Sequence, residues 1–190
     1  MVSDQFKDLL FMPIDIDVPN MKFDRDDTLY KVPNQIFQPK WWDSVIVNVN
    51  PDKLKEFSYI YDQLPYSEAP IVMHKYQDIP VGPHFDVYPT MKISKEEYSH
   101  IQDNEPCGYR VVLSGQLGKL KILVGNEWIT PELPSMPVCY LINSTKLKHK
   151  VEDDPGREVV YFRGKIDPLK HEKLLLRSFS KYSDLAIFNG

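Results

Sequence analysis

Val138-Cys139-Tyr140-Leu141-Ile142, then His149-Lys150-Val151, the turn Glu152-Asp153-Asp154-Pro155-Gly156, and Arg157-Glu158-Val159-Val160-Tyr161-Phe162-Arg163 decide the fold of this 190-residue chain. The two longer runs are short, rich in β-branched and aromatic residues, and bounded by Pro, Gly, Asn and Asp, which is the signature of strands joined by turns. Upstream, Lys119–Val124 reaches Gly125-Asn126 and continues as Glu127-Trp128-Ile129, a hairpin pattern. Tyr109–Ser114, Ile71–Tyr76 and Ser44–Val49 extend the series. Helix signals are fewer. Asn50-Pro51 looks like a cap and first-turn proline for a helix reaching Tyr61. Ser94-Lys95-Glu96-Glu97 is a capping box leading into Tyr98 and Ile101. Asp167-Pro168 opens a helix through Leu176, and a weak helical pattern covers Gln5–Leu10. Strands and helices do not alternate, so a doubly wound parallel sheet is excluded. The expectation is a mainly β protein with flanking helices, an antiparallel sandwich or jelly roll.

Composition narrows the class. The 23 basic and 27 acidic residues give a net charge of −4. A nucleic-acid binder shows a basic stripe, and Lys53-Leu54-Lys55 and Lys146-Leu147-Lys148 are too short to make one, so nucleic acid is disfavoured as a partner. The 16 prolines are spread along the chain and mark short elements separated by turns, not a linker. One domain spanning 1–190 is expected, with a core at 70–166, an N-terminal α/β flank at 1–69 and a C-terminal helix within 167–190. No apolar run reaches the ~20 residues of a membrane helix, and Met1–Asp8 lacks a secretory pattern. A soluble, cytoplasmic protein is expected. Cys107 and Cys139 form no CxxC and are expected to be reduced thiols.

Five histidines are present: His74, His84, His100, His149 and His171. In Pro83-His84-Phe85-Asp86, residues at i and i+2 on a strand project to one side, so one metal ion can meet the His84 imidazole and the Asp86 carboxylate. A third ligand from a distant strand would complete a two-histidine, one-carboxylate set on non-haem Fe(II), with positions left open. The tripeptide alone carries little weight, since this composition produces one by chance in about every second chain. His100 and His171 fall on expected helices and are expected to be exposed. His74 is close to the site in sequence and is read first as structural.

Gly82–Asp86, Tyr109–Leu113 and Leu141–Arg163, taken together, resemble the Fe(II)/2-oxoglutarate-dependent oxygenases. Within that superfamily they look most like the aspartyl/asparaginyl β-hydroxylase and free-proline hydroxylase branch. The resemblance covers roughly residues 70–166. It implies a double-stranded β-helix of cupin-like form, with His84, Asp86 and His149 as metal ligands. It also implies Fe(II), 2-oxoglutarate as co-substrate, and O2. A basic residue at the start of the strand after the distal histidine would bind the far carboxylate of 2-oxoglutarate, and Arg157 opens that strand. Arg163 is the competing candidate, because residues 157, 159, 161 and 163 share one face of a strand. A hydroxyl from a neighbouring strand, Tyr76 or Ser114, would add a bond. Arg110 and His74 are weaker candidates for contact with substrate. Arg157 follows His149 by eight positions, closer than in that branch, and the Asp154-Pro155-Gly156 turn would account for the shortening. Asp86 moves the pattern toward the proline hydroxylases and away from halogenases, where a small residue admits chloride.

The implied activity is hydroxylation of an amino acid or of a residue in a peptide, with release of succinate and CO2. Two rivals share the fold: a non-catalytic jelly-roll binding module, and a cupin-type metal enzyme that does not use 2-oxoglutarate.

Overall fold

A computed structural model of the protein describes residues 4–21, 45–48, 55, 57–68, 70–77, 80–85, 108–144 and 147–190. Eleven strands are present among them: β1 (Leu9–Ile14), β2 (Val45–Asn48), β3 (Ile71–Gln77), β4 (Val81–His84), β5 (Gly108–Ser114), β6 (Leu120–Val124), β7 (Glu127–Ile129), β8 (Val138–Ile142), β9 (His149–Val151), β10 (Arg157–Arg163) and β11 (Ile187–Phe188). Two α-helices accompany them, α1 (Ser58–Tyr61) and α2 (Pro168–Tyr182). The strands form two sheets, ordered β11-β1-β8-β5-β10-β3-β2 and β4-β9-β6-β7, and every pairing is antiparallel. The protein is mainly β, as the pattern of short apolar runs implies. Neither sheet closes into a barrel among the described residues.

Strand alternation divides the core in two. On one face of the large sheet, Tyr109, Val111, Cys139, Leu141, Val160 and Phe162 pack with Phe57 and Ile60 and with Leu174 and Leu175 of α2. On the other face, Val112, Val138, Tyr140, Ile142 and Val159 pack against Leu120, Ile122 and Val151 of the small sheet. The large sheet is therefore covered on both sides, and β4, β9 and β10 each send a valine, Val81, Val151 and Val159, into the layer between the sheets.

The N-terminal helical pattern is not realised. A single 3-10 turn at Asp4–Phe6 leads into β1, all six residues of which are buried. β1 lies between β8 and β11 with both faces covered, so Leu9-Leu10-Phe11-Met12-Pro13-Ile14 shows no alternation to separate a strand from a helix. The C-terminal helix begins where expected: Asp167 Oδ1 accepts from the amides of Leu169 (2.9 Å) and Lys170 (3.1 Å), and Pro168 occupies the first turn. His171, expected on its exposed side, is instead buried beside Leu174, Leu175 and Ser178 on the face turned to the core. The Tyr109 hydroxyl and the His171 Nδ1 share a hydrogen bond of 2.7 Å, and burial pushes the imidazole pKa down to about 4. Of the helix expected from Asn50, only Ser58–Tyr61 is helical among the described residues. The helix expected from Ser94, with His100, and Cys107 lie outside them. Cys139 is a buried free thiol whose pKa burial raises. No helix among the described residues is long and apolar enough to cross a membrane.

Candidate metal centre

β4 and β9 pair so that His84 stands directly opposite His149. On β9, His149 and Val151 point inward while Lys150 is turned out, and Ile122, across from His149 on β6, is fully buried. Cross-strand partners share a face, so both imidazoles belong to the layer between the sheets. Their ring centroids are 4.3 Å apart at an interplanar angle of 47°. The Nδ1 of His84 contacts the Gly82 carbonyl at 2.8 Å, and the Nδ1 of His149 contacts the Leu147 carbonyl at 3.2 Å. A carbonyl only accepts, so Nδ1 carries a proton in each ring, and in the neutral imidazole Nε2 is then the nitrogen with the lone pair. That tautomer, held by a backbone carbonyl, is the arrangement by which proteins orient metal-binding histidines. Asp86 lies outside the described residues, and among those described no group of three His, Cys, Asp or Glu side chains converges on one point. The donor chemistry of the pair fits a divalent transition metal such as Fe(II).

Arg157 opens β10 on the face it shares with Val159 and Tyr161, toward the small sheet. It is 4 % exposed, and it is held from below by a carboxylate the sequence did not single out. Asp154 is itself 1 % exposed. Both its oxygens accept from the Gln116 amide at 3.0 Å, and Oδ2 lies 4.0 Å from Arg157 Nε. Gly115, at φ +119°, lets the backbone close over this pair. A Cβ there would fall 2.7 Å from Asp154 Oδ2 and 3.0 Å from Arg157 Cγ. Ser114 Oγ donates to the Gly156 carbonyl at 2.9 Å, so its proton ties the β5 end to the turn before Arg157. The backbone of Arg163 continues β10, but its side chain lies outside the described residues.

Arg110 and Tyr161 are cross-strand partners on the same inner face, as are Arg110 and Tyr140. The Arg110 guanidinium carbon lies 4.6 Å from the Tyr161 ring centroid and Lys75 Nζ lies 4.3 Å from it. The inner face of the large sheet thus carries Lys75, Arg110 and Arg157, and the two imidazoles stand on the small sheet packed against that face. His74 is placed elsewhere. It alternates with Lys75 and points to the opposite face, where Nε2 lies 2.6 Å from Glu158 Oε1 and the ring meets Phe57 edge-on. Tyr76 stands in register with Glu158, and its side chain lies outside the described residues.

The structure therefore brings His84 and His149 together, sets Arg157 and Arg110 on the sheet facing them, and separates His74 from the group. Asp154 and Gly115 were missed. Their only sequence signal is local: a turn acid before Pro-Gly, and a glycine after a strand. No protein-family model, no curated protein and no solved structure matches this chain.

Proposed function

We propose that the protein is an Fe(II)- and 2-oxoglutarate-dependent dioxygenase that hydroxylates an amino acid or a peptide residue, releasing succinate and CO2. The observation that carries this proposal is the facing His84–His149 pair, each ring held by a carbonyl in the metal-binding tautomer. Strand order supports it. From β3 to β10 the chain passes large, small, large, small, small, large, small, large between the sheets, the winding of a jelly roll, with both histidines on the small sheet.

His84, His149 and Asp86 would hold the metal, which supplies activation of O2 for transfer of an oxygen atom to the substrate. Arg157 would form a forked, charge-assisted pair with the far carboxylate of 2-oxoglutarate. Asp154 braces the guanidinium from its Nε side. Arg110, beneath Tyr161, is the cation we assign to the substrate side, and its burial makes an ionic contact there strong. Val112, Val151, Val159 and Ile122 keep the layer apolar and exclude bulk water. The buried free thiol of Cys139 accords with a reducing, cytoplasmic setting.

The test is anaerobic titration of apo-protein with Fe(II) and then 2-oxoglutarate, following the visible metal-to-ligand charge-transfer band. A band that requires both additions and is lost in His84→Ala is expected. Fe(II) binding without a band would point to a cupin-type enzyme that ignores 2-oxoglutarate. No Fe(II) binding would leave a jelly-roll binding module.

A further inference from the structure

The small sheet has a second face, turned away from the histidines, and it gathers charge that the sequence scatters. On and before β6, Lys119, Lys121 and Leu123 alternate with the buried Leu120 and Ile122. Around β9, Lys148, Lys150 and Glu152 alternate with the buried Leu147, His149 and Val151. Lys121 stands in register with Lys150, and Leu123 with Trp128 on β7. The Lys150 ammonium lies 5.1 Å from the Trp128 ring centroid, and the indole is 38 % exposed. Glu152 answers two of the cations, Lys150 at 3.5 Å and Lys121 at 4.0 Å. Among the described residues Lys119 and Lys148 have no ion pair. Four partly exposed lysines on one face of a chain with net charge −4 reverse the local sign. Like charges in register across a strand pair oppose the fold, and no buried group of the core requires them.

We infer that this face docks an extended acidic polypeptide segment of a partner protein, with carboxylates at alternate positions and an apolar residue laid against Leu123 and Trp128. Lysines two apart on a strand are about 6.6 Å apart, the same repeat at which an extended peptide presents every second side chain. The acidic remainder of the surface repels an anionic partner and steers it here. Single-stranded nucleic acid, the competing polyanion, is held by bases stacked on successive open aromatic rings. Among the described residues the exposed rings of this sheet are Trp128 on β7 and Phe85 just after β4, at its two opposite edges and not in succession, and a lysine ammonium already covers part of the indole. The inference stands independently of the metal centre, which lies on the other side of the sheet.

The experiment is fluorescence anisotropy of the full chain with a labelled peptide of alternating Glu and Ser carrying one central Leu. A Gln-for-Glu peptide and labelled oligothymidylate are run beside it. Saturable binding of the acidic peptide is expected, weakened at least roughly tenfold by high salt or by Lys119→Gln/Lys121→Gln/Lys148→Gln/Lys150→Gln. The corresponding Lys→Arg protein should retain binding. The peptide comparison uses only the unaltered protein, so it holds even if a variant folds poorly. Equal binding of the Gln peptide, no saturable binding, or full affinity in a folded Gln variant would overturn the proposal. Oligothymidylate binding tighter than the acidic peptide would overturn it in favour of nucleic acid.

Discussion

His84 and His149 face each other across two antiparallel strands with ring centroids 4.3 Å apart, and the Nδ1 of each donates to the carbonyl two residues before it, Gly82 and Leu147. The same local device is used twice, on strands far apart in sequence, and it sets both rings in one tautomer. His84→Ala and His149→Ala are each expected to abolish stoichiometric Fe(II) binding and succinate production. Equilibrium dialysis and a coupled succinate assay measure both. His84 is partly exposed, so His84→Ala should keep the wild-type unfolding midpoint. Normal Fe(II) binding by both variants would remove the pair from the site.

Arg157 is expected to act on co-substrate affinity more than on turnover. Loss of a charged hydrogen bond of about 1.5–3 kcal/mol corresponds to a rise in KM for 2-oxoglutarate of roughly ten- to a hundredfold in Arg157→Ala. Gly115→Ala tests the same anchor without touching it, because the new Cβ would press on Asp154 Oδ2 and on the Arg157 stem. Its KM for 2-oxoglutarate should rise with the metal affinity unchanged. Turnover with unaltered KM in both variants would reassign the anchor, with Arg163 next in line.

The β class was legible because strands announce themselves by composition, whereas His84 and His149 were linked only through the family resemblance and not through strand alternation. β1 was not legible: burial on both faces removes the period that separates strand from helix. β9 is three residues long, below the length at which alternation registers. His171 was misplaced because a histidine on a C-terminal helix reads as exposed, whereas the hydrogen bond with the Tyr109 hydroxyl makes a buried imidazole tolerable. Asp154 escaped notice because a carboxylate before Pro-Gly reads as a solvated turn, and only the folded chain brings the Gln116 amide onto it.

His171 makes stability pH-dependent in a defined window. Its pKa falls from the ordinary 6.5 to about 4 on folding, so the unfolded chain binds a proton that the native state refuses. Stability is full above about pH 6.5 and declines as pH falls toward 4, by at most roughly 3 kcal/mol for this group. Tyr109→Phe/His171→Leu removes the titrating group together with the hydroxyl that serves it. Urea midpoints measured between pH 7 and 4 should show a shallower slope in the double variant. An unchanged slope would assign the acid sensitivity elsewhere.

The Lys121–Lys150 register gives an opposite expectation, a gain. Lys121→Glu places a carboxylate across from Lys150, turning a repulsive cross-strand pair into an attractive one of about 0.2–1 kcal/mol. The thermal midpoint should rise at low salt, and the gain should shrink as salt is added. A loss of stability at low salt would mean that the Lys121 contacts with Thr130 and Glu152 outweigh the repulsion.

Glu158 and Arg157 are neighbours in sequence with different work, because alternation sends them to opposite faces of the large sheet. Glu158 lies 2.6 Å from His74 Nε2 on the helix side, where His74 is buried and edge-on to Phe57. Glu158→Ala removes the carboxylate that meets a buried imidazole and is expected to cost about 1–3 kcal/mol of stability. The KM for 2-oxoglutarate should stay at the wild-type value at temperatures where the variant is folded. Arg157→Ala should shift KM as well as stability, because it leaves the buried Asp154 carboxylate without its cation. Urea denaturation and steady-state kinetics on the two variants separate the two faces. A large KM change in Glu158→Ala at full folding would mean that the helix-side pair positions the co-substrate through β10, and His74 would then join the site.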